Sequence, residues 1–145
     1  MSRVNISKKP PEVYDTVVAM SAAAEHAAAQ AGIHPRLVEL VKIRVSQMNG
    51  CAFCSRLHTR DALALGETTD RLAVLAAWWE SQYFTPVEQA ALAIAEEVTR
   101  LPGREETRWD RGVLSAEQTS AITWVALVMN AWNRVAILSG YRVAP

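Results

Sequence analysis

Apolar residues recur at three- and four-residue spacings through most of the chain, and residues that start or stop helices bracket each run. No segment shows the period-two alternation, bounded by hairpin turns, that a strand needs. The pattern predicts an all-α protein. A first helix is expected from about Pro11, a residue suited to an N-terminal helical position, to about Ala31, with Gly32 as its stop. A second begins near Pro35, carries Leu37, Val38, Leu40, Val41, Val45 and Met48 on a broad apolar stripe, and ends at the turn dipeptide Asn49-Gly50. The third starts at about Cys51 and stops at Gly66, and a fourth covers Thr69 to Gln82. Thr85-Pro86-Val87-Glu88 reads as a capping box opening a fifth helix to about Arg100, ended by Leu101-Pro102-Gly103. A short solvated helix is expected over Arg104 to Arg111. Ser115-Ala116-Glu117-Gln118 is a second capping box, opening a long last helix that runs to about Ser139 and ends at Gly140.

Together these make about six or seven helices in a single-domain bundle over residues 1–145, a length able to bury a core without disulfide staples. The last helix is apolar nearly all round from Ala121 to Met129, which calls for a central position, and a face against a partner subunit is expected as well. The expectation is a homo-oligomer. Fifteen acidic and fifteen basic residues cancel, so no net field attracts nucleic acid or an anionic membrane. The longest apolar stretch, Trp124 to Met129, is broken by Asn130, Asn133 and Arg134 and falls short of the ~20 residues of a membrane span. The charged first residues are followed by no apolar run of the secretory type, and a cytoplasmic protein is expected.

The chain has two cysteines, Cys51 and Cys54, and His58 follows four residues after the second. On a helix these positions share one face. Glu39 lies on the preceding helix, and folding back at Asn49-Gly50 brings it level with His58: Glu39 stands roughly 13 Å from the end of its helix and His58 roughly 10 Å from the start of the next. Going down the hairpin, the order is carboxylate, imidazole, Cys54, Cys51, a proton relay in form. Such a relay matters because thiolate, not thiol, is the nucleophile, and an unperturbed cysteine with a pKa of ~8.5 is only slightly ionised near neutrality. The helix N-terminus and His58 are both expected to lower that pKa. The helix dipole favours Cys51 and the i+4 histidine favours Cys54; Cys54 is taken as the attacking thiol and Cys51 as the resolving one, because a specific proton acceptor does more than a diffuse partial charge.

Other chemistries use the same residue types. Cys51, Cys54, His58 and Glu39 are four candidate zinc ligands, although structural zinc sites usually bring a second Cys/His pair. Two cysteines near a helix start also serve as small buried hydrophobes. Covalent haem attachment needs histidine directly after the second cysteine, where Ser55 stands, and a thioredoxin fold needs strands. Taken singly, Glu39 is a surface partner for Lys42, and Ser46 and Asn49 are a late helix residue and a turn former. His26 and His34 are read as structural, and Trp78, Trp79, Trp124 and Trp132 as core or interface.

The run Glu39, Ser46, Asn49, Cys51, Phe53, Cys54, His58, followed by Asp61-Ala62 and Gly66-Glu67, resembles the core motif of the alkylhydroperoxidase D and carboxymuconolactone decarboxylase superfamily. Similarity continues through Ala76-Ala77-Trp78, Phe84 to Glu88 and Asn130 to Arg134. The resemblance implies an all-α fold with the site on a helical hairpin, assembly as trimers or hexamers, and thiol-dependent peroxide reduction without metal or other cofactor. It implies Cys54 as peroxidatic thiol, Cys51 as its partner, His58 with Glu39 as the relay, Ser46 and Asn49 as supporting positions, and a dithiol, lipoylated or thioredoxin-like reductant. The well-studied peroxidases carry a histidine between the cysteines where this chain has Phe53. The decarboxylase branch generally lacks the cysteine pair and is a poorer match. The expected function is hydroperoxide reduction through a Cys51/Cys54 dithiol-disulfide cycle, with a non-catalytic redox switch or binding module of the same fold as the alternative.

Overall fold

The computed structural model describes residues 3–101 and 112–145. Among them are six α-helices and no strand: α1 (Pro11–Gln30), α2 (Pro35–Asn49), α3 (Ala52–Ala64), α4 (Thr69–Val74), α5 (Pro86–Arg100) and α6 (Ala116–Ser139), with a 3-10 turn over Leu75–Glu80 between α4 and α5. The fold is all-α, as its pattern of apolar positions requires. The helix expected over Arg104 to Arg111, and the Pro102-Gly103 stop before it, lie outside the described residues.

Local chemistry sets the helix ends. Both capping boxes form with both arms: the Thr85 hydroxyl accepts from the Glu88 N–H at 3.3 Å and Glu88 returns to the Thr85 N–H at 2.9 Å, while Ser115 and Gln118 do the same at 3.1 and 3.0 Å. His34 has a definite task, since its Nδ1 accepts from the Arg36 N–H at 3.1 Å and caps α2.

α2 is the most enclosed element. Every residue from Leu37 to Ser46 is buried, with α3, α5 and α6 packed along it and α1 touching it as well. α6 is also central, in contact with α1, α2, α5 and α3. By length and composition α6 could cross a membrane, yet it lies among these helices and buries Ile122, Val125, Met129 and Asn133 between them. Trp124, Leu127 and Leu138 stay exposed on its outer face, with exposed Arg134 between the two leucines.

The fourth predicted helix is where the structure departs from expectation. Instead of one helix from Thr69 to Gln82, α4 gives way to the 3-10 turn, and Ala77 leaves helical geometry altogether (φ −126°, ψ 38°). Leu75 and Trp78, on either side of this kink, are both fully buried. The Trp78 indole N–H donates to Glu96 Oε1 on α5 at 3.0 Å. That same oxygen accepts from Arg44 of α2, at 2.8 Å from Nε and 2.7 Å from the terminal nitrogen. One half-buried carboxylate thus ties α2, α5 and the 3-10 turn together, and propensity over Thr69–Gln82 yields to it.

Glu96→Ala strands the Arg44 guanidinium and is expected to cost about 3 kcal/mol or more, read as a lower denaturant midpoint at unchanged slope. A loss below about 0.5 kcal/mol would show that this pairing does not hold the three elements.

Candidate functional site

The turn between α2 and α3 is built around Gly50, whose φ of +67° lies in the left-handed region that L side chains avoid. The Gly50 N–H donates to the Gln47 carbonyl at 3.3 Å and the Cys51 N–H to the Ser46 carbonyl at 3.0 Å, the paired bonds of a Schellman ending. Cys51 then begins the next helix with its side chain, because its sulfur accepts the Cys54 N–H at 3.4 Å as the N-cap of α3. The same residue closes one helix and opens the other. This places Cys54 one turn into α3 with its sulfur 2.7 Å from that of Cys51, both as free thiols.

One turn further, His58 faces back toward α2, where its Nδ1 lies 2.8 Å from Glu39 Oε2. The other oxygen of Glu39 accepts from the Lys42 ammonium at 3.0 Å, and Lys42 also donates to Glu25 of α1 in a very close contact. Asp61, at 3.5 Å from His58 Nδ1, is a weaker neighbour. Burial pushes the Glu39 carboxyl up, but the His58 hydrogen bond and the Lys42 charge outweigh it and hold the group below its ordinary value. Burial likewise pulls Lys42 down, and the two glutamates more than restore it. Glu39 is therefore an ionised acceptor, so the His58 nitrogen facing it carries the proton. In the tautomer that this contact selects, Nε2 carries the lone pair.

His58 and Cys54 share a wall of a cavity of about 500 Å³. Its other walls are mostly apolar, with Val18, Phe53, Leu57, Val125, Met129 and Trp132 among them, while Glu25 and Lys42 supply charge. Cys51 is not part of this lining. Phe53, which stands between the cysteines, packs edge-on against Tyr141 at 5.0 Å between ring centres, and Tyr14 packs the same way against Trp132 at 5.3 Å. The cavity thus has aromatic flanks of its own, and Trp132, read from sequence as core or interface, is one of its walls.

One expectation is corrected. Instead of falling, the Cys54 pKa is pushed up to about 12, chiefly by burial in this apolar setting and next by its hydrogen bond to the Cys51 thiol. Cys54 therefore rests as a thiol. The zinc alternative also loses its ligand set: among the described residues the group close enough to hold a cation is Glu39, His58 and Asp61, without either sulfur, and the Lys42 ammonium already sits on Glu39.

Ser46 and Asn49 are not mere turn formers. Ser46 Oγ donates to the Lys42 carbonyl at 2.7 Å and accepts from Asn133 of α6 at 3.0 Å, while Asn49 donates to Asn130 and Asn133, each at 2.9 Å. Glu25, Lys42, Asn130 and Asn133 are site neighbours that the motif alone does not single out. Asparagines three apart within an otherwise apolar helix are the signal that points to the last two.

Three comparisons bear on this arrangement. Residues 11–97 match the carboxymuconolactone decarboxylase family. The uncharacterised protein YdfG of Bacillus subtilis (strain 168) is 41% identical over 119 residues, 79% of this chain and 81% of that protein. Among solved structures, a protein of unknown function from Agrobacterium tumefaciens, proposed to be the antioxidant defence protein AhpD, superposes with a TM-score of 0.82 at 28% identity over 100% of this chain and 99% of that one. With its cysteine pair and its helical hairpin, this chain belongs to the carboxymuconolactone decarboxylase family, within the superfamily that includes alkylhydroperoxidase D.

Proposed function

We propose that this protein is a thiol peroxidase that reduces organic hydroperoxides through a dithiol-disulfide cycle of Cys54 and Cys51. The observation that carries the reading is the arrangement of the two sulfurs: Cys54 lies on the wall of an apolar cavity beside His58, and Cys51 waits 2.7 Å behind it. The AhpD-like fold of the Agrobacterium tumefaciens neighbour supports it. Val18, Leu57 and Met129 favour a hydroperoxide with an apolar body.

The steps balance as follows. His58 Nε2 takes the proton of the Cys54 thiol, and the resulting imidazolium is held by Glu39. The thiolate attacks the hydroperoxide oxygen that bears hydrogen; an S–O bond forms, the O–O bond breaks, sulfur gives up two electrons, and the alkoxide leaves with the His58 proton as an alcohol. Cys51 then attacks the Cys54 sulfenic acid, an S–S bond forms, and hydroxide departs, taking the Cys51 proton, as water. A dithiol, lipoylated or thioredoxin-like, restores the pair by thiol-disulfide exchange. Lys42 is a positioning residue that helps keep Glu39 ionised, and Glu25 anchors the Lys42 ammonium. No metal or other cofactor takes part.

Exposed Trp124, Leu127 and Leu138 on α6 support self-association as a trimer or hexamer. The free dithiol fits a reducing compartment, and we assign the protein to the cytoplasm.

Turnover of an organic hydroperoxide with dihydrolipoamide, beyond one equivalent per site, is the expected outcome. One oxidation with no recycling by any dithiol would make the protein a redox switch instead. Cys54→Ser is expected to abolish peroxide-dependent sulfenic acid, and Cys51→Ser to let it accumulate on Cys54; mass spectrometry of the trapped adduct decides, and the opposite pattern exchanges the roles. The pH profile tests the relay. Below the raised Cys54 pKa of about 12 the unassisted thiolate grows tenfold with each pH unit. Single-turnover oxidation of a His58→Phe variant is therefore expected to climb without levelling up to about pH 9, and to lie about a hundredfold below wild type near neutrality. Wild type levels off, because His58 supplies the base. Parallel profiles would remove His58 from the proton transfer.

A further inference from the structure

The cavity beside Cys54 carries its fixed charge at one place. Among its lining residues, Glu25 of α1 and Lys42 of α2 are the acid and the base that are ionised at neutral pH. The others are apolar, aromatic or hydroxyl-bearing, apart from Cys54 and His58 themselves. The two charged side chains differ in depth: that of Lys42 is 11% exposed and that of Glu25 49%, so the carboxylate stands on the solvent side of the ammonium.

The ammonium is already claimed twice. Lys42 donates to Glu25 in a very close contact and to Glu39 at 3.0 Å. Glu39 spends its other oxygen on His58 at 2.8 Å, and Asp61 lies 3.5 Å from the same ring nitrogen. Three carboxylates therefore gather around one ammonium, and the group is negative whichever protonation state the imidazole takes. An anion that enters finds Glu25 in front of the cation and Glu39 behind it, and the like charges repel it. A neutral molecule of the same shape meets no such opposition. Rejecting one ligand by a fixed like charge, rather than by closer contact with another, is how specificity is gained at little cost in binding.

We propose that Glu25 is a specificity-determining residue that keeps anions from Cys54, so that the substrates are neutral organic hydroperoxides and not those bearing a carboxylate near the peroxide group. The substrate assignment rests on the peroxidase reading; the exclusion of anions from the thiol does not. Glu25 acts on what enters rather than on the sulfur. With its charge removed, Lys42 keeps Glu39 and gains capacity for an incoming carboxylate.

The test compares two reagents of nearly equal size, neutral iodoacetamide and anionic iodoacetate, near neutral pH. It uses a Cys51→Ser background, in which Cys54 is the one thiol in the chain. The ratio of the two alkylation rates cancels any change in the supply of thiolate, which a merely structural effect of the substitution would alter. The iodoacetate-to-iodoacetamide ratio at Cys54 is expected to lie about tenfold below that of the neutral thiol N-acetylcysteinamide, and Glu25→Gln to recover most of the difference. Glu12→Gln, roughly 20 Å away along the same helix, is expected to leave the ratio where it was. Circular dichroism establishes which variants are folded, and Glu25→Ala takes the place of Glu25→Gln where the latter is not. A wild-type ratio equal to that of the small thiol, or one that a folded Glu25 variant does not move, overturns the proposal. With peroxide, the methyl ester of a short hydroperoxy acid is expected to show a kcat/KM about tenfold above that of the acid, a preference that Glu25→Gln removes. Equal values for acid and ester in an active enzyme overturn the substrate assignment. If the protein is inert to every hydroperoxide, the peroxidase reading falls while the alkylation ratio still decides whether Glu25 guards the thiol.

Discussion

A helix surrounded on all sides has to satisfy its own charges, and α2 is such a helix. It carries Glu39, Lys42 and Arg44 into the interior, where an unpaired charge costs several kcal/mol. Much of the arrangement around it is the solution to that constraint. Arg44 is answered by Glu96 of α5, which in turn holds Trp78. Lys42 is answered by Glu25 of α1, and Glu39 by Lys42 and by His58 of α3. Three neighbours are thereby fixed against α2 by charge as well as by apolar packing. The pair that concerns chemistry is one of these structural pairs, which is why the half-buried imidazole is held in one orientation.

Much of this was legible in the sequence because it follows from local rules. Capping residues, prolines at first turns and glycines at helix ends act within a few residues, and Thr85, Ser115, Gly50 and Gly140 behave as those rules require. The juxtaposition of Glu39 with His58 was legible too, since a two-residue turn and a fixed rise per residue leave the hairpin little freedom. The run Thr69–Gln82 was not. Its geometry is set by an acceptor on α5, eighteen residues beyond Trp78, and propensity has no access to such a partner. Nor was the direction of the Cys54 shift, because helix dipole and histidine are local signals whereas burial is a property of the whole fold. The asparagines of α6 stand out in the sequence, but their partners Ser46 and Asn49 on α2 are set by the packing of the bundle.

In the proposed cycle the raised Cys54 pKa and the His58 ring oriented by Glu39 act together. A permanently ionised thiolate would be open to any electrophile that enters. A thiol that must hand its proton to a waiting base is reactive only when a good leaving group sits in the cavity. Replacing the polar residue found between the cysteines of the well-studied peroxidases by Phe53 moves this site further in that direction, since its ring adds apolar wall beside the sulfur and docks on Tyr141.

Cys51 has a consequence for traffic through the site. Its N–H finishes α2 and its sulfur starts α3, so it is built into the joint and sealed behind Cys54, away from the cavity lining. In the proposed cycle one door then serves two visitors. Oxidant and reductant both have to arrive at Cys54, and neither can enter while the other is inside. Such a protein alternates between two covalent forms and takes its substrates in turn, with parallel double-reciprocal lines as the kinetic mark of a single entrance.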